Sequence, residues 1–149
     1  MMQVSQKTQY ALRAMFELAR RHGSGPTRIG DIAERQAIPS RFLEGILNQL
    51  RQAGLLRSVR GSRGGYELAL EPSEISVGDM MRVIEGPIGP TECLEEDHAG
   101  CPLYGSCAFE PMWRRAAEAL ADVYDGTTLA DLLAEEERLR QAAPPNYVI

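Results

Sequence analysis

The 149-residue sequence has no uninterrupted apolar run of about 18 residues, the length a membrane span requires. Its opening, Met1-Met2-Gln3-Val4-Ser5-Gln6-Lys7, lacks the apolar core of a secretory signal. A cytoplasmic protein with no membrane partner is therefore expected. Only two histidines occur, His22 and His98, and there is neither a Cys-x-x-Cys pair nor a glycine-rich phosphate loop between a strand and a helix. Without these bases, redox pairs and phosphate cradles, an enzyme is not expected. Cysteine is scarce and odd in number, and three thiols in a reducing compartment argue against a disulfide framework. All three fall between Cys93 and Cys107, in a Gly/Pro-rich stretch, whereas independent core cysteines would be scattered through the helices.

What is present suits one core with an appendage: 44% hydrophobic and 25% charged residues. The net charge of -5 hides an asymmetry. Residues 1–70 hold 11 Lys/Arg against 5 Asp/Glu, and residues 71–149 hold 5 against 16. At a screening length of about 10 Å, DNA feels chiefly the face nearest to it, so a basic front half can attract phosphate although the whole chain is acidic.

The apolar spacing of Tyr10, Ala11, Ala14, Met15, Leu18 and Ala19 predicts a first helix from Lys7 to Arg21, with Ser5 or Thr8 as its cap. Ile29 to Gln36 predicts a second. After Ala37-Ile38-Pro39 a third runs from Ser40 to Ala53, with Phe42, Leu43, Ile46, Leu47 and Leu50 expected inward and Gly54 at the stop. Two short helices joined by so short a turn are a helix-turn-helix candidate. Strands over Leu55–Arg60 and Tyr66–Leu70 flank the turn Gly61-Ser62-Arg63-Gly64-Gly65, which makes a wing. Arg57, Arg60 and Arg63 lie there with no acid before Glu67, and the glycines are expected to let the main chain approach phosphate. Ser76 and Asp79 start a further helix that Gly86-Pro87 ends. The cysteine loop follows. Met112, Trp113, Ala116, Ala117, Leu120, Val123 and Tyr124 then trace an apolar stripe on a helix from Pro111 to Tyr124, read as the dimerisation element, with packing inside the chain as the alternative. A short last helix begins at Thr128 and Asp131, and the tail after Ala142 is expected to be disordered.

These pieces resemble the IscR/NsrR family of winged-helix transcription regulators from about Val4 to Leu133. The likeness lies in Tyr10-Ala11-Leu12-Arg13-Ala14, Ile32-Ala33-Glu34-Arg35-Gln36, Phe42-Leu43-Glu44 and Leu50-Arg51-Gln52-Ala53-Gly54-Leu55. It continues through Val59-Arg60-Gly61, Gly64-Gly65-Tyr66, Val77-Gly78-Asp79, Glu85-Gly86-Pro87 and Thr128-Leu129-Ala130-Asp131-Leu132. The resemblance implies a mainly α fold: a winged helix-turn-helix DNA-binding domain over 1–86, a sensor loop over 87–110, and a long dimerisation helix with a C-terminal helix over 111–142. It also implies a homodimer on a double-stranded DNA operator, acting by repression or activation at promoters, with repression the first expectation. Carried over position by position, Ser40, Arg41 and Glu44 would face the major groove, where Glu44 can accept from cytosine N4, and Arg60, Ser62 and Arg63 would grip the backbone or minor groove. A winged-helix module used only for protein contacts is the alternative.

The spacing Cys93-x7-Cys101-x5-Cys107 offers soft thiolates to an iron-sulfur cluster or to zinc, and spacing alone leaves the two level. A metal-free thiol switch is a third reading. The family resemblance favours an iron-sulfur cluster, 2Fe-2S or 4Fe-4S, that senses iron-sulfur, redox or nitric oxide status. In the biogenesis branch a histidine stands three residues after the third cysteine, where this chain has Glu110; the acidic residue that the nitric-oxide branch uses early in helix one is also missing. Glu110 is the first choice for a fourth ligand and His98 the second. The competing readings make Glu110 a helix cap and His98 a solvated side chain among acids.

Overall fold

The computed structural model describes residues 3–95 and 100–145; His98 lies outside the described residues. The first helix, α1, spans Gln6–Arg20, and Ser5 caps it by accepting from the Thr8 amide at 3.1 Å. Ala11, Ala14, Met15, Leu18 and Ala19 form its buried stripe. Helices α2 (Ile29–Gln36) and α3 (Ser40–Gln52) pack on that stripe through Ile32, Ala33, Leu43, Ile46, Leu47 and Leu50. Their three-residue connection turns sharply because Ala37 adopts φ 51, a left-handed conformation disfavoured for a residue with a Cβ. Arg13 of α1 steadies the turn by donating to the carbonyls of Gln36 and Ala37.

Strands β1 (Leu56–Val59) and β2 (Gly65–Leu68) pair antiparallel, with Leu56 opposite Leu68 and Val59 opposite Gly65. Leu56 and Leu68 enter the core, which fixes the hairpin's register. A third segment joins them: Thr27 and Tyr66 exchange backbone hydrogen bonds of 2.8 Å each. A Cβ on Gly65 would fall 2.2 Å from the Thr27 carbonyl oxygen, and one on Gly64 would fall 2.2 Å from that of Val59. These two glycines are therefore demanded by closure of the wing itself.

Helix α4 (Val77–Glu85) starts at a reciprocal capping box between Ser76 and Asp79, and the final helix, α6 (Leu129–Ala142), starts at another between Thr128 and Asp131. The two starts are stitched together: the Val77 amide donates to Thr127 at 2.8 Å and the Leu129 amide to Ile75 at 2.9 Å. Leu129 is thereby buried completely in the core beside Ile75 and Met80. The last helix, expected to be short, runs for 14 residues. Helix α5 (Glu110–Asp125) differs from the rest, since none of its 16 residues is fully buried. Its attachment to α4 includes a bidentate ion pair, Arg82 to Asp125 at 2.7 and 2.8 Å. No helix among the described residues is long and apolar enough to cross a membrane.

Among the described residues one charged group lies inside. Glu17 of α1 has no solvent exposure, and its carboxylate receives Arg20 at 2.8 Å, Arg21 at 3.2 Å and the Gln36 amide at 3.0 Å, with Arg35 at 3.8 Å. A buried carboxylate is tolerated only when its oxygens are satisfied in this way. Replacing Glu17→Leu strips the partners of their acceptor, and we expect a loss of about 2 kcal/mol in urea unfolding, the range for a buried charge-assisted network whose cations are partly solvated.

Candidate nucleic-acid interface and cysteine loop

Two surfaces concentrate the chemically distinctive residues. The first is the exposed side of α3 and the wing. Because Leu43, Ile46, Leu47 and Leu50 bury one face of α3, its periodicity turns Ser40, Arg41 and Glu44 outward, and all three are exposed. Phe42, expected in the core, is instead 47% exposed. It sits on the flank of the helix, stacked on Tyr10 with ring centroids 6.2 Å apart, and the Arg41 guanidinium lies 4.7 Å from its ring centre.

At the wing tip Arg60, Ser62 and Arg63 are exposed. Arg57 does not join them as a free cation, since it pairs across the hairpin with Glu67 at 2.8 Å. That correction follows from register: Arg57 and Glu67 face each other directly, and opposite charges at such a position attract. Arg28, which no sequence motif singles out, joins this surface. It stands just before α2 and donates to the Ser62 carbonyl, tying the wing tip to the helix-turn-helix. Its only sequence signal is a cation beside Thr27, the residue that pairs with the wing.

The second surface is the loop between α4 and α5. Cys93 sits in a single 3-10 turn, Glu92–Leu94, with its Sγ 3.0 Å from the Thr91 hydroxyl. Cys101 and Cys107 lie in consecutive turns: the Cys101 carbonyl accepts from Tyr104 at 3.0 Å, and Gly105 takes φ 82 between them. All three thiols are free and half-buried. They line one cavity of about 410 Å3, together with Glu110 and Arg114. Glu110 is the first residue of α5, one place after the cap residue Phe109; it makes no cap hydrogen bond but pairs with Arg114 one turn along, and its negative charge suits the amino end of the helix. Among the described residues no three His, Cys, Asp or Glu side chains converge closely enough to hold a metal ion. The cysteines therefore share a space without forming a closed coordination shell.

The root of this loop is tied to the other end of the molecule. Glu85, the last residue of α4, accepts from the Ser5 amide at 3.2 Å and the Thr8 hydroxyl at 2.7 Å, at the start of α1. Hydrogen bonding by Ser5 and then by Thr8 holds the Glu85 carboxyl below its ordinary value of 4.5.

Helix-turn-helix, wing and a trailing helix with an open apolar face define a winged helix-turn-helix transcription regulator. The chain belongs to the Rrf2 family, described as iron-dependent transcriptional regulators, whose model matches residues 4–135. It is 40% identical over 141 residues to the HTH-type transcriptional regulator CymR of Bacillus subtilis, covering 95% of this chain and 96% of that one. The solved structure of that protein, described as the global cysteine regulator of B. subtilis, superposes with a TM-score of 0.75 over 91% of this chain and 98% of its own. The structure of T. potens IscR superposes with a TM-score of 0.76 at 38% identity, covering 98% of this chain and 95% of that one. Members of this kind are DNA-binding regulators and not enzymes.

Removing one cation that touches phosphate should lower the slope of log affinity against log salt by about 1. Arg60→Ala and Arg63→Ala should each do so in fluorescence anisotropy with duplex DNA, while Arg57→Ala, already neutralised by Glu67, should change the slope by much less. Acid should act on the other surface. Because the folded value of Glu85 is depressed, the stability it contributes is complete above 4.5 and is lost as pH falls from there through the lower folded value. Glu85→Gln should flatten that part of the acid unfolding profile, read by circular dichroism, and the gap between the two proteins should be largest above about pH 5.

Proposed function

We propose that the chain is a homodimeric repressor whose grip on its operator is set by an iron-sulfur centre held by Cys93, Cys101 and Cys107. The observation that carries this reading is the arrangement of three free, half-buried thiols around one cavity of about 410 Å3 at the foot of α5. The donor set fits: thiolates are the usual ligands of such clusters, and a loop of successive turns can bend each sulfur toward a common point. Glu110, on the same cavity wall, is the candidate fourth ligand once Arg114 releases it. When bound, a cluster would supply a redox- and nitric-oxide-sensitive group whose charge and ligation change with the cell's state.

The residues of the chain do the rest. Ser40, Arg41 and Glu44 meet the major groove, and Arg60, Ser62 and Arg63 hold the flanking backbone. Helix α5 supplies the dimer contact, a reading supported by Met112 at 47% and Val123 at 63% exposure along a helix with no fully buried residue. Rearrangement of the loop reaches the reading heads through two links, Arg82 with Asp125 and Glu85 with Ser5 and Thr8.

A second reading keeps the fold and replaces the cluster with a thiol switch that responds to sulfur or oxidants. The likeness to a relative described as a cysteine regulator favours it, as does the open arrangement of the three sulfurs.

Anaerobic purification with an ultraviolet-visible spectrum and assays for iron, acid-labile sulfide and zinc separates these readings. We expect visible charge-transfer bands with iron and sulfide, all lost when the three cysteines are changed to serine. A colourless protein that stays so after attempted cluster reconstitution would contradict the cluster and leave the thiol switch; stoichiometric zinc would replace both with a structural metal site.

A further inference from the structure

Helix α3 holds a glycine that its fold does not require. Gly45 lies in the middle of the helix on the exposed side, and a Cβ built there would meet nothing within 4 Å. Glycine in a helix interior is less favourable than alanine, so in the free protein this position carries a penalty with no packing reason for it. The missing side chain leaves the helix backbone open to close approach by another molecule.

The surroundings say which molecule. Gly45 opens onto a groove of about 690 Å3 between α3 and the start of α1, walled by Tyr10, Phe42 and Ile46 and bordered by Lys7 and Arg41. The apolar wall is prearranged: Phe42 is stacked on Tyr10, and Arg41 and Arg13 lie 4.7 and 5.3 Å from the centres of the two rings. A cationic border matches phosphate, and the groove is continuous with the exposed Ser40, Arg41 and Glu44 surface of the same helix. In the major groove of B-DNA, the apolar feature that an aromatic wall can contact is the C5-methyl group of thymine.

We infer that this groove is a thymine-reading notch, in which the Phe42 ring packs on one thymine methyl in each half-site and the bare backbone at Gly45 lets the helix sit close enough for that contact. The inference rests on the DNA-binding reading and adds to it a base preference and two residues outside the expected set of DNA-facing side chains.

The test begins with selection of duplexes by the full-length protein from a randomised pool, followed by replacement of each selected thymine with deoxyuridine, which removes only the methyl group. One thymine per half-site should lose about threefold to fivefold in affinity on replacement, the effect of burying a single methyl. With Phe42→Ala the same replacement should have no effect, while a purely structural role for Phe42 would leave the wild-type sensitivity intact. Gly45→Ala should raise the melting temperature by about 2–4 °C and lower affinity for the selected duplex at least about tenfold. Loss of duplex binding altogether would overturn the DNA-binding reading and the notch together. Selected binding with the same deoxyuridine sensitivity in wild type and Phe42→Ala, or a Gly45→Ala protein that binds as well as wild type, would overturn the notch alone. A change of oligomeric state in Phe42→Ala, by sedimentation and with duplex recognition unchanged, would assign the groove to a second copy of the chain and equally overturn it.

Discussion

The carboxylate of Glu17 lies out of reach of water, and side chains from α1, its C-terminal cap and α2 converge on it. Arg20 spans outward from that carboxylate to Glu136, so α6 is tied into the same network. A charge in this position cannot be left half-satisfied, because an unpaired buried carboxylate costs several kcal/mol. The helix-turn-helix is thus held at a fixed angle to α1 by an interaction that does not slide, whereas apolar packing alone would allow small shifts. Arg13, one turn earlier, fixes the strained Ala37 turn that aims α3. The reading head is in this sense an extension of α1.

Helix α1 is also held at its start, and there the partner stands at the root of the cysteine loop. Glu85 closes on Ser5 and Thr8 immediately before Gly86-Pro87, where the chain departs for the cysteine loop. Arg82, one turn before Glu85, reaches Asp125 at the far end of α5; Gly78 makes room for it, since a Cβ there would collide with the Asp125 carboxylate. Polar contacts therefore join α5 to α4, α4 to the start of α1, and α1 to α2 and the Ala37 turn, while α3 rests on α1 through apolar packing. The wing is attached separately, through Thr27 and Arg28, to the start of α2.

How far each feature is legible in the sequence depends on how local it is. The capping pairs Ser76 with Asp79 and Thr128 with Asp131 can be read directly because each is contained in four residues. The buried stripes of α1 and α3 follow from helical spacing, with one exception: Phe42 has the right hydrophobicity and nearly the right phase, but it lies on the flank, where Tyr10 and Arg41 cover it only partly. Arg57 reads as a free cation in the sequence because its partner is set by hairpin register. Burial of Leu129 depends on a bridge between residues 76 and 128, which no local pattern encodes. Glu17 does leave a local signal: it stands at helical spacing from Ala14 and next to Leu18, an acid on the apolar side of an amphipathic helix. For the cysteines, sequence proximity indicates a shared role, and the fold adds that they line a common cavity with Glu110.

If the state of the cysteine centre changes how the reading heads meet DNA, the effect must appear in operator affinity. The most direct measurement takes one anaerobic preparation before and after its centre is removed by oxidant and chelator, with the three-serine protein treated in parallel. We expect a shift of at least about tenfold, roughly 1.4 kcal/mol, in the wild type and none in the three-serine protein. Equal affinity before and after removal, in a protein whose loaded centre has been verified by iron and sulfide content, would contradict the proposed coupling.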